Sequence, residues 1–221
     1  MRVIAGSAAG VSLAVPKHRV RPTMDRVKAA IFSSLGDAII GARVLDLFAG
    51  SGALGIEALS RGAVAAVFVE NERQSVGVIE ENLARAKSKG RVRNQDVFDF
   101  LRHATDVQAV VPSAGRLAQA PTQHQMNEKF EIIFADPPYE KTNHDEHYAE
   151  KLLTNEALPL LLEPGGTFVL EKRSRETLPE IRPWRIIRQK IYGATEVLFL
   201  SQSRCQDSPF FNAPDAQLLK R

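Results

Sequence analysis

The sequence predicts an α/β fold: a mainly parallel sheet with helices on both faces and an antiparallel hairpin at or near one edge. Three observations carry this prediction. From Arg43 onward, short apolar strands alternate with helical stretches; a glycine-rich turn joins the first of these strands to the next helix; and two apolar runs around Gly193 close the series.

Each element has its own signal. Val3–Ala5 and Val11–Val15, separated by Gly6-Ser7-Ala8-Ala9-Gly10, read as a small hairpin. A helix is expected after Pro22, with Thr23 as N-cap, an apolar stripe of Met24, Val27, Ile31 and Leu35, and Gly36 at its end. Further strands are expected at Arg43–Phe48, Ala65–Glu70, Arg91–Asn94, Glu131–Ala135 and Gly166–Glu171. Between them fall helices over Ala53–Ser60 and Arg73–Lys87, a short one ending near Arg102, and one over His147–Leu161. Trp184–Tyr192 and Thr195–Ser201 form the closing pair. Residues 104–128, polar and without periodicity, read as an inserted loop, and 202–221 as an irregular tail. The chain thereby divides into a hairpin-and-helix extension (1–36), a main domain (37–201) and the tail.

Composition narrows the class. The 221 residues are enough for one sizeable core, and 44% apolar with 25% charged residues is ordinary for a soluble globular protein. No apolar run approaches the roughly 20 residues of a membrane helix, and the first residues lack a signal-peptide pattern, so a cytoplasmic protein without membrane contact is expected. A single cysteine, Cys205, rules out an internal disulfide or a thiolate zinc cluster. His144-Asp145-Glu146-His147 reads as a polar loop and helix start, so no metal site is expected. Net charge is only +3, but Lys17, His18, Arg19, Arg21, Arg26 and Lys28 cluster with Asp25 as the one acid among them. That cluster is a candidate phosphate-contacting patch, with Lys17, Arg19, Arg26 and Lys28 its expected nucleic-acid contacts.

Gly50, Gly52 and Gly55 match G-x-G-x-x-G between a strand and a helix, where α/β sheets bind ligands. Asp46 selects the ligand's charge. A carboxylate ending the same strand opposes a pyrophosphate on the turn, whereas a sulfonium, an ammonium or ribose hydroxyls would suit it. S-adenosylmethionine carries all three and no phosphate. Glu70, ending the second strand, is placed to accept ribose hydroxyls, and Asp96, after the third, to take an adenine amine or to cap a helix.

The strand Phe130–Ala135 runs directly into Asp136-Pro137-Pro138-Tyr139. Two prolines fix φ, remove two donors and force Asp136 into an extended backbone. The lone pair of an exocyclic base amine is delocalised into its ring. Hydrogen bonds from its two N–H groups to a carboxylate (Asp136) and a carbonyl (Pro137) would free that lone pair for in-line attack, with Tyr139 stacked on the base. Strand, tetrapeptide and upstream glycine turn together predict methyl transfer to nitrogen.

On these residues the chain resembles the bacterial small-subunit ribosomal RNA guanine-N2 methyltransferases of the RsmD family. The matching stretches are Val3–Gly6, Arg21-Pro22-Thr23-Met24-Asp25-Arg26-Val27-Lys28, Leu45–Gly55, Phe68–Glu70 and Asp136–Tyr139. Arg21–Lys28 discriminates best, since the other motifs are common to many amino-methyltransferases. The resemblance implies a Rossmann-like class I S-adenosylmethionine-dependent methyltransferase fold of seven strands with a small N-terminal extension. It implies cofactor contacts at Arg21, Pro22, Thr23, Phe48, Gly50, Glu70, Asp96 and Asp136, to which Asp46, Ala49, Ser51, Gly52, Asn71 and Val97 are added as neighbours on the same strand ends. The implied partner is the small ribosomal subunit or its 16S RNA, and a monomer is expected. The family's N-terminal hairpin is usually basic, whereas here it reads Ser7-Ala8-Ala9-Gly10-Val11-Ser12, which shifts the expected RNA grip to Lys17–Lys28. Methylation of another nucleic-acid amine, such as adenine N6 in DNA, and a non-catalytic RNA-binding or ribosome-assembly factor are the alternatives. A dinucleotide-dependent dehydrogenase is disfavoured by Asp46 and by the Asp-Pro-Pro-Tyr turn.

Overall fold

A computed structural model describes residues 1–16, 25–105, 128–138, 147–174, 176–178 and 181–203. Lys17, Arg19, Arg21, Pro22, Thr23, Tyr139 and most of the 104–128 and 202–221 stretches lie outside these residues.

The described elements are helices α1 (Asp25–Leu35), α2 (Ala53–Ser60), α3 (Arg73–Arg85), α4 (Val97–Thr105), α5 (Tyr148–Leu153) and α6 (Ala157–Leu161), and strands β1 (Arg43–Leu47), β2 (Ala65–Glu70), β3 (Arg91–Asn94), β4 (Phe130–Ala135), β5 (Leu162–Arg173), β6 (Trp184–Tyr192) and β7 (Thr195–Gln202). They form one seven-stranded sheet in the order β3-β2-β1-β4-β5-β7-β6. β1 to β5 run parallel, and β7 is antiparallel to both β5 and β6. The order reverses between β1 and β4, the switch point beside which α/β sheets place their ligands.

Alternation along the strands divides the core in two. Val44, Ala66, Phe68, Ile132 and Phe134 pack with α1, α2, α3 and the N-terminal residues Val3, Ala8 and Leu13. Leu45, Leu47, Val67, Val69, Ile133 and Ala135 pack with α4, α5 and α6 on the other face. Both faces of the central strands are buried, as a sheet covered on two sides requires.

Four expectations change. The N-terminal hairpin contains a single antiparallel bridge, Arg2 to Ser12, and is held by Val3 and Leu13 N–H bonds to Val11 and Met1 carbonyls. Gly36 has the predicted positive φ (52°), but the chain continues as a 3-10 turn to Ile39. The long helix over His147–Leu161 is two helices, because Asn155 Oδ1 accepts the Ala157 and Leu158 N–H groups (3.0 and 2.9 Å) and starts a new one. β5 begins at Leu162 rather than Gly166, with a register shift against β4.

Candidate active site at the strand tips

β1 and β4 pair in parallel with Leu47 opposite Ala135, so the turn after β1 and the Asp136-Pro137 turn after β4 leave the sheet side by side. Phe48 turns at φ 57°, a left-handed conformation that non-glycine residues rarely adopt and that is often held at ligand sites. Gly50 and Gly52 follow at φ 57° and 74°. The turn is closed by Ala49 N–H to Val69 O (3.0 Å) and Gly52 N–H to Ala49 O (2.7 Å). Gly55 has a different duty: a Cβ there would stand 2.3 Å from Phe68 Cε1, so glycine lets α2 lie against β2.

Carboxylates organise this turn through backbone donors. Asp46, 2% exposed, accepts the Gly55 N–H through Oδ2 at 2.9 Å and so occupies one of the free N-terminal donors of α2. Glu70 accepts Gly50 N–H (2.7 Å) and Glu72 N–H (3.0 Å), one on each oxygen. Each Glu70 oxygen keeps a second lone pair. Asp96 Oδ1 accepts Phe98 and Asp99 N–H (2.8 and 3.1 Å), making it the N-cap of α4; its other oxygen takes no part in the cap.

The remaining expected residues are distributed unevenly. Ala49, Ser51 and Gly52 lie in the buried turn, while Asn71 is exposed just beyond Glu70. Val97 is 2% exposed with its side chain in the core, which leaves only its backbone to meet a ligand. Asp136 is half-buried, Pro137 buried and Pro138 exposed. Arg26 is exposed on α1.

Lys28 is a correction. Expected to face nucleic acid, it is fully buried instead, with Nζ 3.2 Å from Glu57 Oε2 and donating to the Arg2 carbonyl at 2.6 Å. It shares the inward side of α1 with Val27, Ile31 and Phe32, so helical phase turns it into the core.

Three polar side chains that the sequence reading passed over hold the N-terminal segment against the site. Glu57 also accepts Ile4 N–H (2.7 Å), Ala5 N–H (3.0 Å) and Arg61 Nε (2.8 Å). Ser60 receives Ala8 N–H and donates to Ala5 O. Asn82, fully buried, bonds both the N–H and the carbonyl of Ala14 and donates to Ser51 O in the glycine turn. The available signals were a lone acid in the apolar Ala53–Ser60 run and an Asn inside the Ile79–Leu83–Ala86 stripe. An aromatic group flanks the turn as well. The Phe48 ring lies 5.3 Å from Tyr148 and 6.3 Å from Phe98, with Lys151 Nζ 5.7 Å from the Phe98 centroid.

Comparison with known proteins agrees with this geometry. The family model described as Conserved hypothetical protein 95 matches residues 1–201. YlbH of Bacillus subtilis strain 168, named as a candidate rRNA methyltransferase, is 37% identical over 199 residues, covering 89% of this chain and 96% of its own. Ribosomal RNA small subunit methyltransferase D of Escherichia coli K12 is 33% identical over 201 residues, covering 87% of this chain and 85% of its own. Among solved structures, a hypothetical protein of Thermus thermophilus superposes with TM-score 0.68 at 30% identity, covering 91% of this chain and 99% of that one. With the family model spanning nearly all of the described chain and these relatives matched over 85% or more of both chains, the chain belongs to the RsmD family of ribosomal RNA small subunit methyltransferases.

Proposed function

We propose that the protein methylates small-subunit ribosomal RNA with S-adenosylmethionine as donor, and that the acceptor is the exocyclic N2 amine of a guanine in 16S RNA. The observation that carries the reading is the side-by-side exit of the glycine turn and of Asp136-Pro137 from the paired strands β1 and β4. This supports the reading because the turn proposed to hold the nucleoside and the turn proposed to grip the amine start from adjacent strand ends, and the relatives are named for methylation of ribosomal RNA.

The donor fits the groups present. Asp46 already occupies an N-terminal N–H of α2, so a pyrophosphate there would meet a carboxylate; a sulfonium and an ammonium are favoured by the same charge. The spare lone pairs of Glu70 suit two ribose hydroxyls, and Asp96 can accept from the adenine amine. Arg21, Pro22 and Thr23 complete the proposed cofactor set. When bound, the donor supplies a methyl already activated by its sulfonium. The chain's own task is positioning: Asp136 and the Pro137 carbonyl accept the two amine hydrogens, Tyr139 stacks on the base, and the lone pair is directed at the methyl. A guanine in structured RNA must be exposed or flipped to reach them.

Tritiated donor offered with naked DNA, naked 16S RNA and small subunits lacking the modification tests this reading. Label is expected on the RNA substrates, at guanine N2 after nucleoside analysis. Label on DNA alone, or on an adenine, overturns it.

A further inference from the structure

Strand β6, Trp184–Tyr192, forms one of the two edges of the sheet among the described residues, three strand spacings (about 14 Å) from β4. It carries Arg185, Arg188 and Lys190 and contains no acidic residue. Its pairing with β7 steps from Ile186 opposite Leu200 to Arg188 opposite Phe199, so Ile187 is the extra residue of a β-bulge. The bulge has a consequence for charge. Partners directly opposite in an antiparallel pair point to one face: Arg185, Arg188 and Lys190 stand opposite Ser201, Phe199 and Val197, while Ile186 and Gln189 stand opposite Leu200 and Leu198. Without the extra residue, Arg185 would point to the opposite face from Arg188 and Lys190. The chain has inserted one residue and, with it, aligned three cations on the face that also carries α1.

Among the described residues, no carboxylate lies within ion-pair reach of these three cations. Arg188 Nη1 donates to the Ser34 carbonyl at the end of α1 (3.3 Å), which orients its guanidinium and leaves other donors available. Arg185 and Arg188 are exposed and Lys190 half-buried, and neighbouring same-face cations about 7 Å apart repel one another unless an anion lies over them. Edge strands often carry charge to prevent strand pairing. That role needs neither arginine nor alignment on one face, and the exposed Ile187 and Ile191 on the same strand work against it. Arginine's planar fork is suited to phosphate.

We propose that this edge is a second anchoring surface for the RNA phosphate backbone, separate from the reacting turn. The inference rests on the RNA methylation reading above.

The test compares the wild-type full chain with R185A/R188A/K190A and with R185K/R188K. Three quantities are measured: KM and kcat on small subunits lacking the modification, the salt dependence of binding to naked 16S RNA and to those subunits, and S-adenosylhomocysteine affinity. For the triple variant we expect KM to rise about tenfold and the slope of log affinity against log salt to flatten by about two, with kcat and S-adenosylhomocysteine affinity within twofold. The lysine variant should keep the wild-type slope, which a loss of local packing would not predict. An unchanged KM and slope in the triple variant overturns the inference while leaving the methylation reading intact. A KM rise on subunits with no change on naked RNA and no change of slope indicates a protein contact and also overturns it. Wild-type protein that labels no RNA removes the methylation reading, and this inference with it, before any variant is compared.

Discussion

The two ends of the central strands use carboxylates in opposite ways. At the end where β1, β2 and β4 begin, Arg43 joins Glu131 and Glu163 through Nη2 at 2.6 and 2.8 Å, a half-exposed side-chain network. At the end where they finish, Asp46, Glu70 and Asp96 accept backbone N–H groups of the turns they support. An ion pair satisfies a carboxylate with a mobile, screened partner; a backbone donor fixes it in place through a bond that brings no opposing formal charge. The first end fastens the sheet. The second is a rigid acidic cradle, suited to a cationic, hydroxyl-rich ligand.

The comparison is tested most severely at the cradle. Asp136→Ala should lower turnover by about a thousandfold or more, given what positioning contributes to such reactions, with S-adenosylhomocysteine affinity largely retained by calorimetry. Surviving turnover would remove Asp136 from its role. Lys28→Met should cost up to about 3 kcal/mol in urea unfolding, because the fully buried Glu57 loses one of its two cationic partners and keeps only Arg61. Its KM for RNA should stay unchanged, since Lys28 is buried in the core. Glu70→Gln should weaken S-adenosylhomocysteine binding about tenfold or more, as one charged hydrogen-bond acceptor is replaced by a neutral one. The smallest effect belongs to the other end. Glu131→Gln should cost less than about 1 kcal/mol and leave activity alone.

The pH dependence of that last difference has a definite sign. The hydrogen bond from Arg43 holds the Glu131 carboxyl below its ordinary value of 4.5, against the opposing effect of burial. A lowered folded value makes the stabilisation complete above about 4.5, and it is lost as pH falls from there through the folded value. Wild type and Glu131→Gln should therefore converge in unfolding midpoint on acidification. A gap that widens instead would contradict the assignment.

Much of this arrangement is legible in the sequence because it depends on local rules. Short apolar segments alternating with helical stretches located the seven described strands, and the glycine turn and Asp-Pro-Pro pointed to the strand ends proposed to carry the site. What escaped depends on contacts distant in sequence. A basic cluster between residues 17 and 28 does not reveal that Lys28 meets Glu57 on another helix, since only two residues, about 200° of helical phase, separate it from the exposed Arg26. Nor does an Asn in an apolar stripe disclose that it bridges Ala14 and Ser51. The bulge at Ile187 was equally hidden, because a strand reads the same in sequence whether or not its partner skips a residue.

The bonds from Glu57, Ser60 and Asn82 to residues 4–14 also bear on how the molecule can be shortened. Cutting away the first sixteen residues would not release an independent appendage. It would expose a buried carboxylate, a hydroxyl and an amide that lose the partners the removed backbone supplies, and one of them, Asn82, steadies the turn proposed to hold the cofactor. Donor affinity in a truncated protein should thus fall together with its solubility, and a minimal methyltransferase cut from this chain has to begin at its first residues.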